Sequence, residues 1–135
     1  MYCLDTNIVI FAMNRRRPHI ARRLTVELQA GTPLLVPAIV RFELDYGLAK
    51  SHAPEQSRFL LESFLAVGFL HPAFDSDDAR EAAAIRAGLE AQGIGIGPFD
   101  YLIAAQARRR GAIMVTLNRR EFDRVPRLAV TDWTG

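Results

Sequence analysis

With 135 residues, half of them apolar, and a formal net charge of +2, the chain suits one globular domain with a buried core. No apolar run approaches the roughly 20 residues needed to cross a bilayer, and Met1-Tyr2-Cys3-Leu4-Asp5 lacks the basic, then apolar, opening of a secretory signal. The single cysteine, Cys3, has no internal disulfide partner, so a reducing cytoplasm is the expected compartment.

Tyr2 to Leu4 reads as a first strand, and Asp5-Thr6-Asn7 opens a short apolar helix through Ile8, Val9, Ile10 and Phe11. By position, Asp5 is either the N-cap of that helix or a carboxylate pointing into a crevice. A second helix follows Pro18, places Ile20, Leu24 and Leu28 on one face, and stops at Gly31. Leu34 to Val36 is the second strand, and Pro37 suits the first turn of the helix after it. In that helix Glu43 falls inside the apolar arc, between Ile39 and Val40 and beside Tyr46 and Gly47, with Arg41 and Asp45 opposite. A carboxylate facing a core is costly unless compensated, so Glu43 is either a paired structural acid or a functional one.

The Glu43 helix ends near Ser51, and Ala53-Pro54 marks the break. A helix from about Glu55 to Leu65 carries Phe59, Leu60, Phe64 and Leu65, and Phe69 to His71 suits a short strand. Ser76 to Asp78 caps a helix with Ala82, Ile85 and Leu89 inward, Glu81 assisting the cap, and Gly93 stops it. After Gly97-Pro98, Asp100 opens another helix, either as its cap or as an inward carboxylate. Ile113 to Thr116 is a strand, Asn118 by itself suits a turn, and Leu128 to Val130 is the last strand. Short apolar runs alternating with amphipathic helices predict an α/β domain, with a parallel sheet covered on both faces.

Polar groups at the carboxyl ends of such strands converge on one crevice. Asp5, Glu43 and Asp100, with the Asn118 amide, would repel one another there unless a hard divalent cation, Mg²⁺ or Mn²⁺, relieves the charge. Glu121 reads as a solvated acid at a helix start, with the alternative that it or Glu81 reaches the metal. His19, His52 and His71 show neither zinc spacing nor a triad arrangement. The Gly93-Ile94-Gly95-Ile96-Gly97 run lacks the Lys-Ser/Thr ending of a phosphate loop and reads as a helix stop and turn. All the basic residues except Lys50 are arginine. Their clusters, notably Arg15 to Arg17 and Arg108 to Arg110, suit nucleic-acid phosphates, although solvated helix faces give the same composition.

Taken together, four segments resemble the PIN-domain ribonucleases, and within them the VapC toxins of VapBC toxin–antitoxin pairs. They are Leu4-Asp5-Thr6-Asn7, Arg41-Phe42-Glu43-Leu44 with Tyr46-Gly47, Ile96-Gly97-Pro98-Phe99-Asp100 followed by Leu102-Ile103-Ala104-Ala105, and Val115-Thr116-Leu117-Asn118 with Arg120-Glu121-Phe122 and Val125-Pro126. The resemblance spans nearly the whole chain. It implies a single PIN domain over residues 1–135, an α/β/α sandwich around a parallel sheet, with Asp5, Glu43, Asp100 and Asn118 as the catalytic set. Asp5, Asp100 and Glu43 would bind Mg²⁺ or Mn²⁺, with Thr6 supporting them by hydrogen bonding. Many family members carry Asp where Asn118 stands, and an amide adds no charge. The implied partners are an RNA substrate, a cognate VapB-type antitoxin in a hetero-oligomer, and a second copy in a homodimer, with the Phe59–Phe64 helix as a candidate surface. The alternative is a catalytically silent PIN domain that binds RNA.

Overall fold

The computed structural model describes residues 1–134. Its elements are β1 (Tyr2–Leu4), α1 (Thr6–Asn14), α2 (Pro18–Gln29), β2 (Leu34–Leu35), α3 (Ala38–Ala49), α4 (Pro54–Leu65), α5 (Ser76–Ala91), α6 (Pro98–Arg109), β3 (Ile113–Val115), α7 (Arg119–Phe122) and β4 (Val130–Thr131). The strands form one four-stranded sheet in the order β2-β1-β3-β4, every pair parallel. Strand order therefore reverses between β1 and β3, and the crevice outside their carboxyl ends is where ligands bind in sheets of this kind. The expected strand at Phe69 to His71 is a single parallel bridge, Leu35 to Leu70. The last strand begins at Val130, later than expected, because Met114 and Thr116 bond to Ala129 and Thr131.

The strands are buried on both sides: Cys3, Leu4, Leu34, Val36, Met114 and Val115 have no exposed surface. This explains their unbroken apolar runs, the mark of a parallel sheet covered by helices. Two stops follow the local chemistry. At the end of α2, Gly31 takes φ +73°, its N–H bonds to the Leu28 carbonyl and Thr32 N–H bonds to that of Glu27. Gly93 repeats the arrangement after α5 at φ +71°, with Ile94 N–H on the Leu89 carbonyl. Both are Schellman caps, which the left-handed backbone of glycine makes cheap.

Several helix details differ from what the sequence suggests. The buried residues of α4 are Leu61 and Leu65, whereas Phe59 and Leu60 are 73% and 64% exposed. Pro54 starts the helix one residue early, at its first position, and α3 and α1 meet only its inner edge. The N-cap of α5 is Asp75, not Ser76. Its side chain accepts from Asp78 N–H at 2.8 Å, while Asp78 accepts from Asp75 N–H at 3.0 Å, a reciprocal capping box. Likewise Pro37 is the N-cap of α3 rather than a first-turn residue.

Candidate active site

Helices that return between parallel strands run against them, so their N-termini gather at the carboxyl edge of the sheet. The starts of α1, α6 and α7 bring Asp5, Asp100 and Glu121 to this edge, and Glu43 follows in the second turn of α3. Helix N-termini favour anions there.

Asp5 resolves the choice between cap and site residue by doing both. It is the N-cap of α1, and Oδ1 accepts from Thr6 N–H at 2.8 Å. Oδ2 accepts from the Thr116 hydroxyl at 2.7 Å. Its backbone N–H bonds to the Val115 carbonyl, prolonging the β1–β3 ladder by one step. Thr116, wholly buried, also accepts Asn118 N–H at 2.9 Å. Sequence reading treated Thr116 only as the end of a strand; the available signal was a hydroxyl closing an otherwise apolar run into a buried sheet edge.

Glu43 is half-buried at the margin of the α3 stripe formed by Val40, Leu44 and Leu48, not within it. Phe42 and Tyr46 on its other side are exposed. Its Oε1 accepts from the Thr6 hydroxyl at 2.7 Å, so Thr6 links the first and second acids. Glu43 also lies on the rim of a groove of about 570 Å³ between α1, α3 and α4, lined by Met13, Leu44, Leu48, Leu61 and Phe64.

Asp100 is the third residue of α6; Gly97 is the N-cap and no side chain caps this helix. A Cβ on Gly97 would stand 3.1 Å from Asp100 Oδ2 and 3.8 Å from Glu121 Oε2. Glycine at 97 therefore lets these two carboxylates come together. Burial, together with a hydrogen bond to Glu121 and the charges of Asp5 and Glu43, pushes the Asp100 carboxyl up to about 8. The same bond, with the Asn118 amide, holds Glu121 below its ordinary range. In physical terms Asp100 keeps the proton and donates it to Glu121, and the pair titrates as a unit. Burial also raises Asp5, against the lowering effect of its two threonine bonds.

Asn118 is exposed and makes no cap bond for α7; its Nδ2 donates to Glu121 Oε2 at 2.9 Å. The fourth carboxylate in this crevice is thus Glu121, displaced by one helical turn from Asn118. In the sequence alone Glu121 reads first as solvated, because acids are common at helix starts, and only secondarily as able to reach the metal.

Asp5, Glu43, Asp100 and Glu121 have no Lys, Arg or His within ion-pair distance among the described residues. Four hard oxygen donors without a fixed counter-charge fit a divalent cation such as Mg²⁺ or Mn²⁺. Among the described residues no three acid, His or Cys groups stand close enough to form a closed ligand set.

Two other expected contributors lie elsewhere. Glu81 pairs with Arg108 at 3.0 Å, between α5 and α6. Arg109 and Arg110 both bind the buried Asp78 at 2.8 Å. Burial alone would raise the Asp78 carboxyl, but the bonds from Arg110, the Asp75 N–H and Arg109 hold it far below the usual range. The Arg108 to Arg110 run is therefore a brace between two helices rather than a free RNA-steering patch. Arg15 to Arg17 remain exposed beyond the C-terminus of α1.

The PIN domain family model matches residues 2–128. A tRNA(fMet)-specific endonuclease VapC of Shigella flexneri is 38% identical over 134 residues, covering 98% of each chain. Ribonuclease VapC2 of Haemophilus influenzae is 39% identical over 132 residues, covering 98% of this chain and 97% of its own. Among solved structures, VapBC2 from Rickettsia felis bound to a promoter DNA fragment superposes with a TM-score of 0.90 at 32% identity, and DNA-bound VapBC from Salmonella typhimurium with 0.89 at 34%. In both cases 98% of each chain is covered. On this match of sequence, fold and site, the chain belongs to the PIN-domain family and, within it, to the VapC ribonucleases.

Proposed function

We propose that the protein is a divalent-metal-dependent endoribonuclease, the toxin of a toxin–antitoxin pair, acting as a single PIN domain over residues 1–135. The observation that carries the catalytic reading is the unpaired acid cluster at the β1/β3 switch point. Its most buried member, Asp5, is fixed by two hydrogen bonds, and Gly97 leaves room for the Asp100 and Glu121 carboxylates beside it. Asp5, Asp100 and Glu43 would hold Mg²⁺ or Mn²⁺, with Glu121 supplying the negative charge that Asn118 does not. Such an ion, when bound, lowers the pKa of a water and offsets charge on the phosphate undergoing hydrolysis.

The chain's own groups prepare this chemistry. Thr116 and Thr6 N–H aim the two oxygens of Asp5. Thr6 bonds to Glu43, whose carboxylate would accept a proton from an attacking water. No histidine stands among these groups, consistent with a water nucleophile rather than the 2′-hydroxyl of RNA.

The partner in this reading is a VapB-type antitoxin, as in the VapBC complexes of Rickettsia felis and Salmonella typhimurium. The apolar groove ending at Glu43 suits an antitoxin segment with apolar side chains followed by a basic one that neutralises the acids. No described helix is long and apolar enough to cross a membrane. A cytoplasmic setting, where RNA is at hand and Cys3 stays a buried free thiol, completes the proposal.

The test is cleavage of total RNA by antitoxin-free protein in Mg²⁺, Mn²⁺ or EDTA, with Asp5→Asn beside it. Cleavage that requires both metal and Asp5 is expected. A folded, metal-supplied protein that leaves RNA intact would favour the silent RNA-binding alternative.

A further inference from the structure

The exposed face of α3 carries an array that neither the core nor the acid site uses. Phe42, Tyr46 and Lys50 recur every four residues, so they share one side of the helix, offset from the buried Val40, Leu44 and Leu48. Phe42 and Tyr46 are 50% and 56% exposed, and Phe99, from the start of α6, joins them at 45%. The Phe42 and Phe99 ring centroids are 5.4 Å apart; Phe42 and Tyr46 lie 6.4 Å apart and nearly parallel, at 9°. Lys50 places its ammonium 4.4 Å from the Tyr46 ring centre. A surface helix gains nothing in stability from keeping three aromatic rings half in water, and contiguous exposed apolar groups mark contact surfaces.

Position argues for the occupant. Phe42 precedes Glu43 and Phe99 precedes Asp100, so one end of the ring array abuts the acids. Among the described residues the one cation stacked on the array, Lys50, stands at its far end, about 12 Å along the helix from Phe42 at the standard rise. A strand whose phosphate lies at the acids must lay its neighbouring nucleosides on adjoining surface. Rings there stack on bases of any identity, and the terminal ammonium meets a later phosphate. Arg41, Asp45 and Arg58 beside the array already pair with one another. We infer that Phe99, Phe42, Tyr46 and Lys50 form a stacking platform that seats unpaired bases of the RNA next to the cleaved phosphate. The inference deepens the ribonuclease reading and rests on it for the position of that phosphate.

Two readouts separate the platform from the chemistry. The first is binding of a short fluorescein-labelled single-stranded oligoribonucleotide, by anisotropy in EDTA, to protein carrying Asp100→Asn. Adding Phe42→Leu and Tyr46→Leu, which keep apolar bulk but remove the rings, is expected to weaken binding about tenfold, within the range measured for base–aromatic stacking. Lys50→Gln is expected to lower the salt slope of log K by about 0.7, one phosphate contact on a single strand. The second readout is cleavage by the otherwise unaltered enzyme: KM rises by a similar factor while kcat is kept. The penalty disappears when the bases beside the cleaved bond are abasic.

Ring-dependent binding without any cleavage would support the platform and overturn the ribonuclease reading. Equal binding and equal KM with and without the rings would overturn the platform alone. Sedimentation velocity decides one further case. If Phe42→Leu/Tyr46→Leu turns a dimer into a monomer, the rings belong to a contact between two copies, and the platform is overturned.

Discussion

Replacing Thr116 by valine keeps the shape of a β-branched residue and removes one hydroxyl. That hydroxyl donates to Asp5 Oδ2 at 2.7 Å and accepts Asn118 N–H at 2.9 Å, in a position with no solvent access. Water cannot replace either bond without opening the β1–β3 edge. A hydrogen bond to a charged acceptor contributes about 1.5–3 kcal/mol, so Thr116→Val should lower the melting temperature by roughly 5–10 °C for a domain of this size. The bond from Thr116 also lowers the Asp5 carboxyl against the rise caused by its burial. Its loss pushes Asp5 further up, and the acidic limb of the pH–rate profile for RNA cleavage should move to higher pH. Thr116→Ser, which retains the hydroxyl, should restore both properties in large part. Thermal melts and kcat/KM measured against pH on the three proteins make the comparison. A Thr116→Val protein that melts with the wild type and keeps its acidic limb would refute the view that this hydroxyl positions Asp5.

With Asp100 held at about 8 in the fold and near 3.8 when unfolded, the native protein keeps a proton that the unfolded chain has released. Stability of the metal-free protein should therefore fall as pH rises from about 4 to about 8. The lowered Glu121 acts in the opposite sense, but only below its ordinary value of 4.5. Urea unfolding in EDTA across this window should show the decline, and Asp100→Asn should flatten it; a level wild-type profile would contradict the shared-proton account. Asp78→Ala removes the acid that Arg109 and Arg110 both grip and should cost about 3 kcal/mol, as loss of one member of a buried ion pair does. RNA affinity and cleavage at a permissive temperature should stay unchanged. Weakened RNA binding with an unaltered melt would return the Arg108 to Arg110 run to the RNA surface.

The sheet was legible because parallel strands buried on both faces leave unbroken apolar runs, as at Cys3-Leu4 and Met114-Val115. The helix stops at Gly31 and Gly93 were legible because only a left-handed backbone closes those turns. Periodicity misled where partners sit on one side only. In α4 the apolar arc of Phe59, Leu60, Phe64 and Leu65 suits a surface or a core alike; Leu65 is buried with Leu61, while Phe59 and Leu60 are exposed. The same limit applied to Glu43, whose expected neighbours Tyr46 and Gly47 face solvent. At the site, sequence order located the ends of strands and helices, hence Asp5, Glu43 and Asp100, but could not see contacts across the crevice. Thr116 and Glu121 matter through bonds to residues far away in the chain, Asp5 and Asp100, and no local pattern records such a bond. The arginine brace on Asp78 is hidden for the same reason: Arg109 and Arg110 read alike whether they face solvent, RNA or a buried acid.

The claim on which the rest depends is that the protonated Asp100–Glu121 pair and Asp5 together exchange a proton for a divalent cation. Calorimetric titration of the antitoxin-free protein with Mn²⁺ at pH 7, repeated in buffers of different ionisation heat, measures that exchange directly. Mn²⁺ uptake accompanied by release of about one proton is predicted, with both lost in a folded Asp100→Asn protein. Uptake without proton release, or equal uptake by Asp100→Asn, would contradict the account.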